Sequence, residues 1–419
     1  MSLSTKVGSF TLNASTGNQA VTGVGFQPKL VIFLHNLLGS DSTVSNAFIG
    51  LGVGISSSDR RATVNRSTDA QTSSVNFAAN QSSTCIYFPT AAVTADFVSN
   101  DSDGFTINIT ATDGTAAVIN YLALGGDDLT NFKTGAAAAK TSTGTQAYTG
   151  VGFQPTALLL LAGKYSTDPL STNTNGAWML GITAGSSQQG YISWRSKNGA
   201  NPQLTRHRQS KTKAGVSLTD AGIFTEFAFV SFDSDGFTLD FTTAGGSADV
   251  VYYLALRGPQ FKVSSFNQAT STGNHSLTGA GFTPKASLMI SANDVAANDD
   301  ATNNGADISI GMATSTSQRG CIWAGDSNNV SPTVAKENLD RTKLLKLIAV
   351  GATPTVNAAA DHVSFDSDGQ TINWTTADAT AREVLVLWIG DAAGGVPSVD
   401  PSFQTRVNRP AMFRPGIPR

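Results

Sequence analysis

Three short apolar runs stand out in an otherwise polar chain: Leu30-Val31-Ile32-Phe33-Leu34, Leu158-Leu159-Leu160-Leu161 and Ala286-Ser287-Leu288-Met289-Ile290. Each is too short for a typical helix and is bounded by proline on one side and by glycine or polar residues on the other, which predicts a buried strand. Pro28, Pro155 and Pro284 open the runs and set an extended approach. Further along, Phe105-Thr106-Ile107-Asn108-Ile109 and Phe237-Thr238-Leu239-Asp240-Phe241 alternate apolar and polar residues after an Asp-Ser-Asp-Gly. A turn followed by period-two alternation predicts a hairpin or strand corner. A second apolar run then follows: Tyr121-Leu122-Ala123-Leu124, Tyr253-Leu254-Ala255-Leu256 and Val386-Leu387-Trp388-Ile389.

Between these landmarks lie apolar–glycine pairs, read as equivalent at Ile49-Gly50, Leu180-Gly181 and Ile310-Gly311, and the aromatic strands Tyr191-Ile192-Ser193-Trp194 and Cys321-Ile322-Trp323. The stretch from Lys336 to Ile348 alone has an amphipathic helix spacing through Leu339, Leu344, Leu345 and Ile348. Its counterparts around Cys85-Ile86-Tyr87-Phe88 and Val216-Ser217-Leu218 do not share it, so strand is expected there.

The landmarks repeat. TGVGFQP begins at Thr22 and again at Thr149, and TGAGFTP at Thr278, spacings of 127 and 129 residues; DSDG begins at Asp101, Asp233 and Asp366. These steps are domain-sized. From the first Asp of DSDG to the leucine of the closing run is 21 residues in every copy, whereas the TG motif lies 79, 84 and 88 residues before DSDG. Length variation therefore belongs to loops on a common frame. The expected fold is all-β: three tandem homologous jelly-roll-like β-sandwiches over residues 1–130, 131–260 and 261–390, followed by a Pro/Arg-rich extended C-terminal arm over 391–419.

Charged residues make up 14% of the 419 positions while glycine alone numbers 41, so the surface is polar mainly through hydroxyls and amides. Such a surface loses few hydrated ions when an interface closes. Residues 7–129 carry four basic and nine acidic side chains, 130–259 ten and seven, and 260–390 eight and twelve. No repeat has the concentrated positive field that a nucleic-acid binder needs, and the alternating sign points to repeats or chains docking side by side. The basic stretch with Lys197, Arg206, His207, Arg208, Lys211 and Lys213 belongs to repeat two alone; it is either a solvated loop or a dock for an acidic neighbour.

Cys85 and Cys321 form no disulfide framework, the start of the chain has no signal-peptide architecture, and no apolar stretch is long enough to span a membrane. Synthesis and assembly in the cytoplasm, with no membrane or nucleic-acid partner, is the expectation.

DSDG places two carboxylates two residues apart, which makes Asp101, Asp103, Asp233, Asp235, Asp366 and Asp368 calcium candidates. An EF-hand loop requires glutamate at its twelfth position, and Thr112 stands there, so the favoured reading is a tight turn whose Asp caps backbone amides beside a positive-φ Gly. His35, His207, His275 and His362 share no equivalent position: His275 falls opposite Gln19 and Gln146, and His362 opposite Phe97 and Phe229. There is no GxSxG elbow and no zinc spacing, and with glutamate only at Glu226, Glu337 and Glu383 no obvious acid/base pair of a glycosidase emerges. Gly50-Leu51-Gly52-Val53-Gly54 lacks the Walker lysine and reads as close strand packing. No enzyme, resident metal or cofactor is expected.

The arm carries Pro397, Pro401, Pro410, Pro415 and Pro418, which remove the donors a strand interior needs. Phe403, Met412 and Phe413 are its candidate partner-binding anchors, and Arg406, Arg409 and Arg414 its polar clasp.

With TGVGFQPK at Thr22 to Lys29, SFDSDGFTLDFT at Ser231 to Thr242 and the terminus RPAMFRPGIPR from Arg409, the chain resembles the Ser/Thr/Gly-rich virion structural proteins of tailed bacteriophages. The likeness covers all three repeats and rests on turn and strand motifs. It implies a virion component, foremost a capsid decoration (cement) protein on the outside of a shell, with the major capsid protein or tail proteins as partners and self-association. The alternative is a tail fibre or adhesin in which variable loops carrying Trp178, Trp194 and Trp323 stack on carbohydrate.

Overall fold

The computed structural model describes residues 2–88 and 93–394. Repeat one forms β1 (Leu3–Thr11), β2 (Gly17–Thr22), β3 (Pro28–His35), β4 (Ser42–Ser45), β5 (Ala47–Gly54), β6 (Arg60–Ser67), β7 (Asn76–Gln81), β8 (Ile86–Phe88), β9 (Val93–Asp101), β10 (Gly104–Ala111) and β11 (Val118–Gly126). An inner sheet in the order β1-β11-β3-β5-β6-β7 packs on an outer sheet in the order β2-β10-β9-β8, and repeats two and three reproduce both orders. The fold is all-β and sandwich-type, as expected. Among the described residues the helical content is one 3-10 turn, Ala296–Asn298, and no helix is long and apolar enough to cross a membrane. The ambiguous stretch is strand, Ala335–Asp340 and Leu345–Ala349.

The apolar runs are continuous because both of their faces are buried. In β3, Val31 and Phe33 enter the sandwich of repeat one, while Leu30, Ile32 and Leu34 face away from it into a second core. Leu158 and Leu160 likewise point inward and Leu159 and Leu161 outward, as Met289 does against Leu288 and Ile290. The outward sets of all three repeats meet in one shared core. Three inner sheets thus enclose a central core around a pseudo-threefold axis, and each also closes a private core with its own outer sheet.

The repeats are also woven together. Leu170–Asn173 of repeat two extends the inner sheet of repeat one by pairing with β7, and Thr302–Asn304 of repeat three pairs with Thr205–Ser210 of repeat two. β4 of repeat one pairs with Ala335–Asp340 of repeat three. Each repeat lends one strand and receives one, so the ring closes and every inner sheet has seven strands. The first strand of repeat one and the residue after the last strand of repeat three close it again: the Leu3 amide donates to Asp391 Oδ1 at 2.8 Å, and Lys285 Nζ bridges Asp391 at 2.7 Å and the Leu3 carbonyl at 3.2 Å.

One alignment from the sequence is corrected. Gly181 and Gly311 pair with Leu160 and Met289, and the residue that pairs with the equivalent Phe33 is Gly52, not Gly50. A β-carbon on Gly52 would lie 1.7 Å from the Cys85 carbonyl oxygen; for Gly181 and Gly311 the distances to Ala214 and Leu344 oxygens are 2.1 and 1.7 Å. Here the outer-sheet backbone crosses the inner sheet too closely for any side chain. The glycine run is therefore a packing feature, with its invariant member two residues later than the apolar–glycine spacing implied.

Candidate functional site

The two repeated motifs bond to each other. The second carboxylate of each DSDG accepts both glycine amides of the preceding TGxG: Asp103 from Gly23 and Gly25 at 3.0 and 2.6 Å, Asp235 from Gly150 and Gly152 at 3.0 and 2.5 Å, Asp368 from Gly279 and Gly281 at 3.1 and 2.6 Å. The first carboxylate accepts two hydroxyls at 2.7 Å: Asp101 from Ser99 and Thr106, Asp233 from Ser231 and Thr238, Asp366 from Ser364 and Thr371. These bonds hold the Asp366 and Asp235 carboxyls below the usual carboxylate range. The glycine that ends each motif has positive φ, and a β-carbon at Gly104 would meet the Val21 oxygen at 1.9 Å. The six calcium candidates are thus the anchors of three corner turns, and among the described residues no group of three His, Cys, Asp or Glu side chains gathers in a metal-binding arrangement.

At one end of the axis the repeats converge on three equivalent strand ends, Ser67, Ser196 and Asp326. The Asp326 carboxylate accepts from Ser67 and Thr205 hydroxyls at 2.8 Å, and from the Ser196 hydroxyl and Gln203 amide. Full burial pushes its pKa up to about 6 against the lowering effect of those hydroxyls. Loops beyond it interlock cyclically: Ser74 N–H donates to the Ala200 carbonyl, Gln203 to Val330 and Thr333 to Gln71, at 2.8 to 2.9 Å. The reciprocal bonds, Gly199 to Ser74, Asn329 to Gln203 and Ala70 to Thr333, measure 2.7 to 2.8 Å. A cleft of about 500 Å³ lies beside this cap, lined by Lys197, Asn201, Pro202 and Asn328.

The opposite end holds both chain termini of the block. There the Ala392 amide donates to Asp128 Oδ2 at 2.8 Å, so the chain leaves the ring beside the Leu3–Asp391 clasp. The arm anchors Phe403, Arg406, Arg409, Met412, Phe413 and Arg414 lie outside the described residues.

The basic stretch of repeat two docks on an acidic segment of repeat three. Arg208 Nε bonds Glu226 at 2.9 Å within its own repeat, and its guanidinium reaches Asp300 at 3.5 Å. Lys211 pairs with Glu383 at 2.8 Å, and its amide donates to Asp299 at 3.0 Å. His207 Nε2 is 3.0 Å from Asp294 Oδ2. Part of the alternating charge of the repeats is consumed internally at this joint. The His207–Asp294 pair leaves no mark in a comparison of the copies, because neither residue recurs; the alternating charge points to docking between repeats but not to these two residues.

The other residues singled out in the sequence are structural. Trp178, Trp194 and Trp323 lie on strands and are 2%, 1% and 0% exposed, so they form core rather than a sugar-stacking surface. His35 is buried between Phe48 and Phe88, where burial lowers its pKa to about 3. Cys85 and Cys321 are free and buried, and burial pushes both thiols up.

No family model matches the chain, and no curated protein matches it at a significant level. Alignments to solved structures are weak. A fructofuranosidase from Schwanniomyces occidentalis complexed with fructose aligns at 6% identity over 88% of this chain and 99% of its own, with a TM-score of 0.11. An N-terminal dehydratase from the difficidin assembly line aligns at 9% identity over 61% of this chain and 94% of its own, with a TM-score of 0.08. Neither overlap amounts to a shared fold.

Proposed function

We propose that this protein is a non-enzymatic virion structural protein, a decoration or cement protein that binds the outside of a tailed-phage shell and reinforces it. The observation that carries this reading is the closed ring of three strand-exchanged sandwiches around one pseudo-threefold axis. A single chain with that geometry offers three similar faces at about 120°, the arrangement suited to a local threefold position on a shell. Its charge-poor surface is suited to broad docking, and an arm starting at one end of the axis adds a tether that gains affinity without a second folded interface. Reinforcement would follow from mass action, since a ligand of the assembled shell stabilises it against disassembly. The major capsid protein is the primary partner in this reading, the virion the location, and the host cytoplasm the site of assembly.

The test is to add the purified full chain, and a chain ending at Gly394, to shells lacking it and to image them. Density over threefold positions with the full chain, lost or weakened with the shorter one, is the expected result. A protein that leaves shells bare and co-purifies with tails instead overturns the reading.

A further inference from the structure

We propose that His207 is a proton-operated latch on the strand that repeat three lends to repeat two, clipping the segment from Asp294 to Gly305 when protonated and loosening it when neutral.

The three joints are built alike but latched differently. The positions facing the lent strands are equivalent: Ala78 opposite Asn173, His207 opposite Asn303 and Glu337 opposite Val44. At the middle joint both ring nitrogens meet acceptors, Nε2 at 3.0 Å from Asp294 Oδ2 and Nδ1 at 2.5 Å from the Gly305 carbonyl. A neutral imidazole has one N–H and could serve only one of them; the imidazolium serves both. Those two acceptors bracket the lent strand in sequence, and Asn303 within it donates to the other Asp294 oxygen at 3.1 Å. One proton therefore joins both ends of the segment to Thr205–Ser210.

The charged surroundings agree. Burial pulls the imidazolium down, but the hydrogen bond and charge of Asp294, the Gly305 carbonyl and the charge of Asp307 outweigh it and raise its pKa above the usual value. Asp307, on the strand Ala306–Ser315, is itself pushed up to about 7 by burial. The neighbouring Arg208 is committed to Glu226 and Asp300, and Lys211 to Glu383. Because the folded pKa of His207 exceeds the ordinary value of about 6.5, the latch contributes fully below that pH and is lost as pH rises through the folded value.

The experiment is amide hydrogen exchange of the full chain from pH 6 to 9.5, corrected for intrinsic rates, with the His207 imidazole followed by nitrogen NMR. Protection at the Asp300 and Gly305 amides, which bond Gln209 and Thr205 carbonyls, should fall by roughly tenfold across the His207 titration. The lent strand Leu170–Asn173, opposite Ala78, should change by less than about twofold. His207→Asn should remove the pH dependence, and Asp307→Asn should leave a transition in place. An imidazole already neutral at pH 6, protection that ignores its titration, or a transition that follows Asp307 rather than His207 overturns the latch. Should His207→Asn fail to fold, the wild-type titration alone decides.

Discussion

The Ser67 hydroxyl donates to the Asp326 carboxylate at 2.8 Å across 259 residues of sequence. That bond joins repeat one to repeat three on the pseudo-threefold axis, and repeat two completes the shell around the same carboxylate through Ser196, Gln203 and Thr205. Asp326→Ala strands four buried donors and should destabilise the ring by about 3 kcal/mol or more, read as a lower midpoint in urea unfolding.

The same residue sets a pH dependence. Its folded pKa of about 6 lies above the ordinary carboxylate value, so its contribution is complete below about pH 4 and is lost as pH rises to 6. Glu337, fully buried where β4 meets repeat three, is pushed up to about 8 and acts in the same sense over a wider window. Melting temperature should decline from pH 5 to 8, and Glu337→Gln should flatten that decline; an unchanged slope in the variant would exclude Glu337 as a contributor.

Gly52→Ala, Gly181→Ala and Gly311→Ala should each abolish soluble folded protein or cost several kcal/mol, because the opposing atom is a backbone oxygen that cannot turn aside. Gly50→Ala, whose β-carbon meets the His35 ring, should be the milder change of the run if the imidazole can shift. Soluble yield and thermal midpoint check the order.

A calcium chelator should leave the melting temperature unchanged, since the DSDG carboxylates are already engaged by glycine amides and hydroxyls. A drop of several degrees that calcium reverses would reinstate a metal at the turns.

Trp194→Ala should cost about 3 to 5 kcal/mol through loss of buried contact at the shared core. Glycan-array binding, if the protein shows any, should not depend on Trp178 or Trp323, both enclosed in strands; selective loss of such binding in otherwise stable variants would restore the adhesin reading.

Much of this was legible along the chain. The alternation of Phe237 to Phe241, the DSDG corners and the brevity of the Leu158 run are local signals, and the copies taken together favour strand over helix at Lys336 to Ile348, where the structure has two strands. The lent strands left no such mark. Ser42–Ser45, Leu170–Asn173 and Thr302–Asn304 are three or four mostly polar residues whose strand character comes from main-chain pairing with a distant edge. Gly50 and Gly52 are indistinguishable in sequence because apolar neighbours flank both, and only the crossing of the Cys85 carbonyl singles out Gly52.

By itself, then, the sequence determined a thrice-written β unit, its turns and its buried runs, because hydrophobic period and turn chemistry act over a few residues. Only the tertiary structure decided that Leu30, Leu159 and Leu288 share one core, that each repeat completes another's sheet, and that His207 meets Asp294. Those outcomes depend on which surfaces close the ring together, and no local pattern carries the identity of a partner 87 or more residues away.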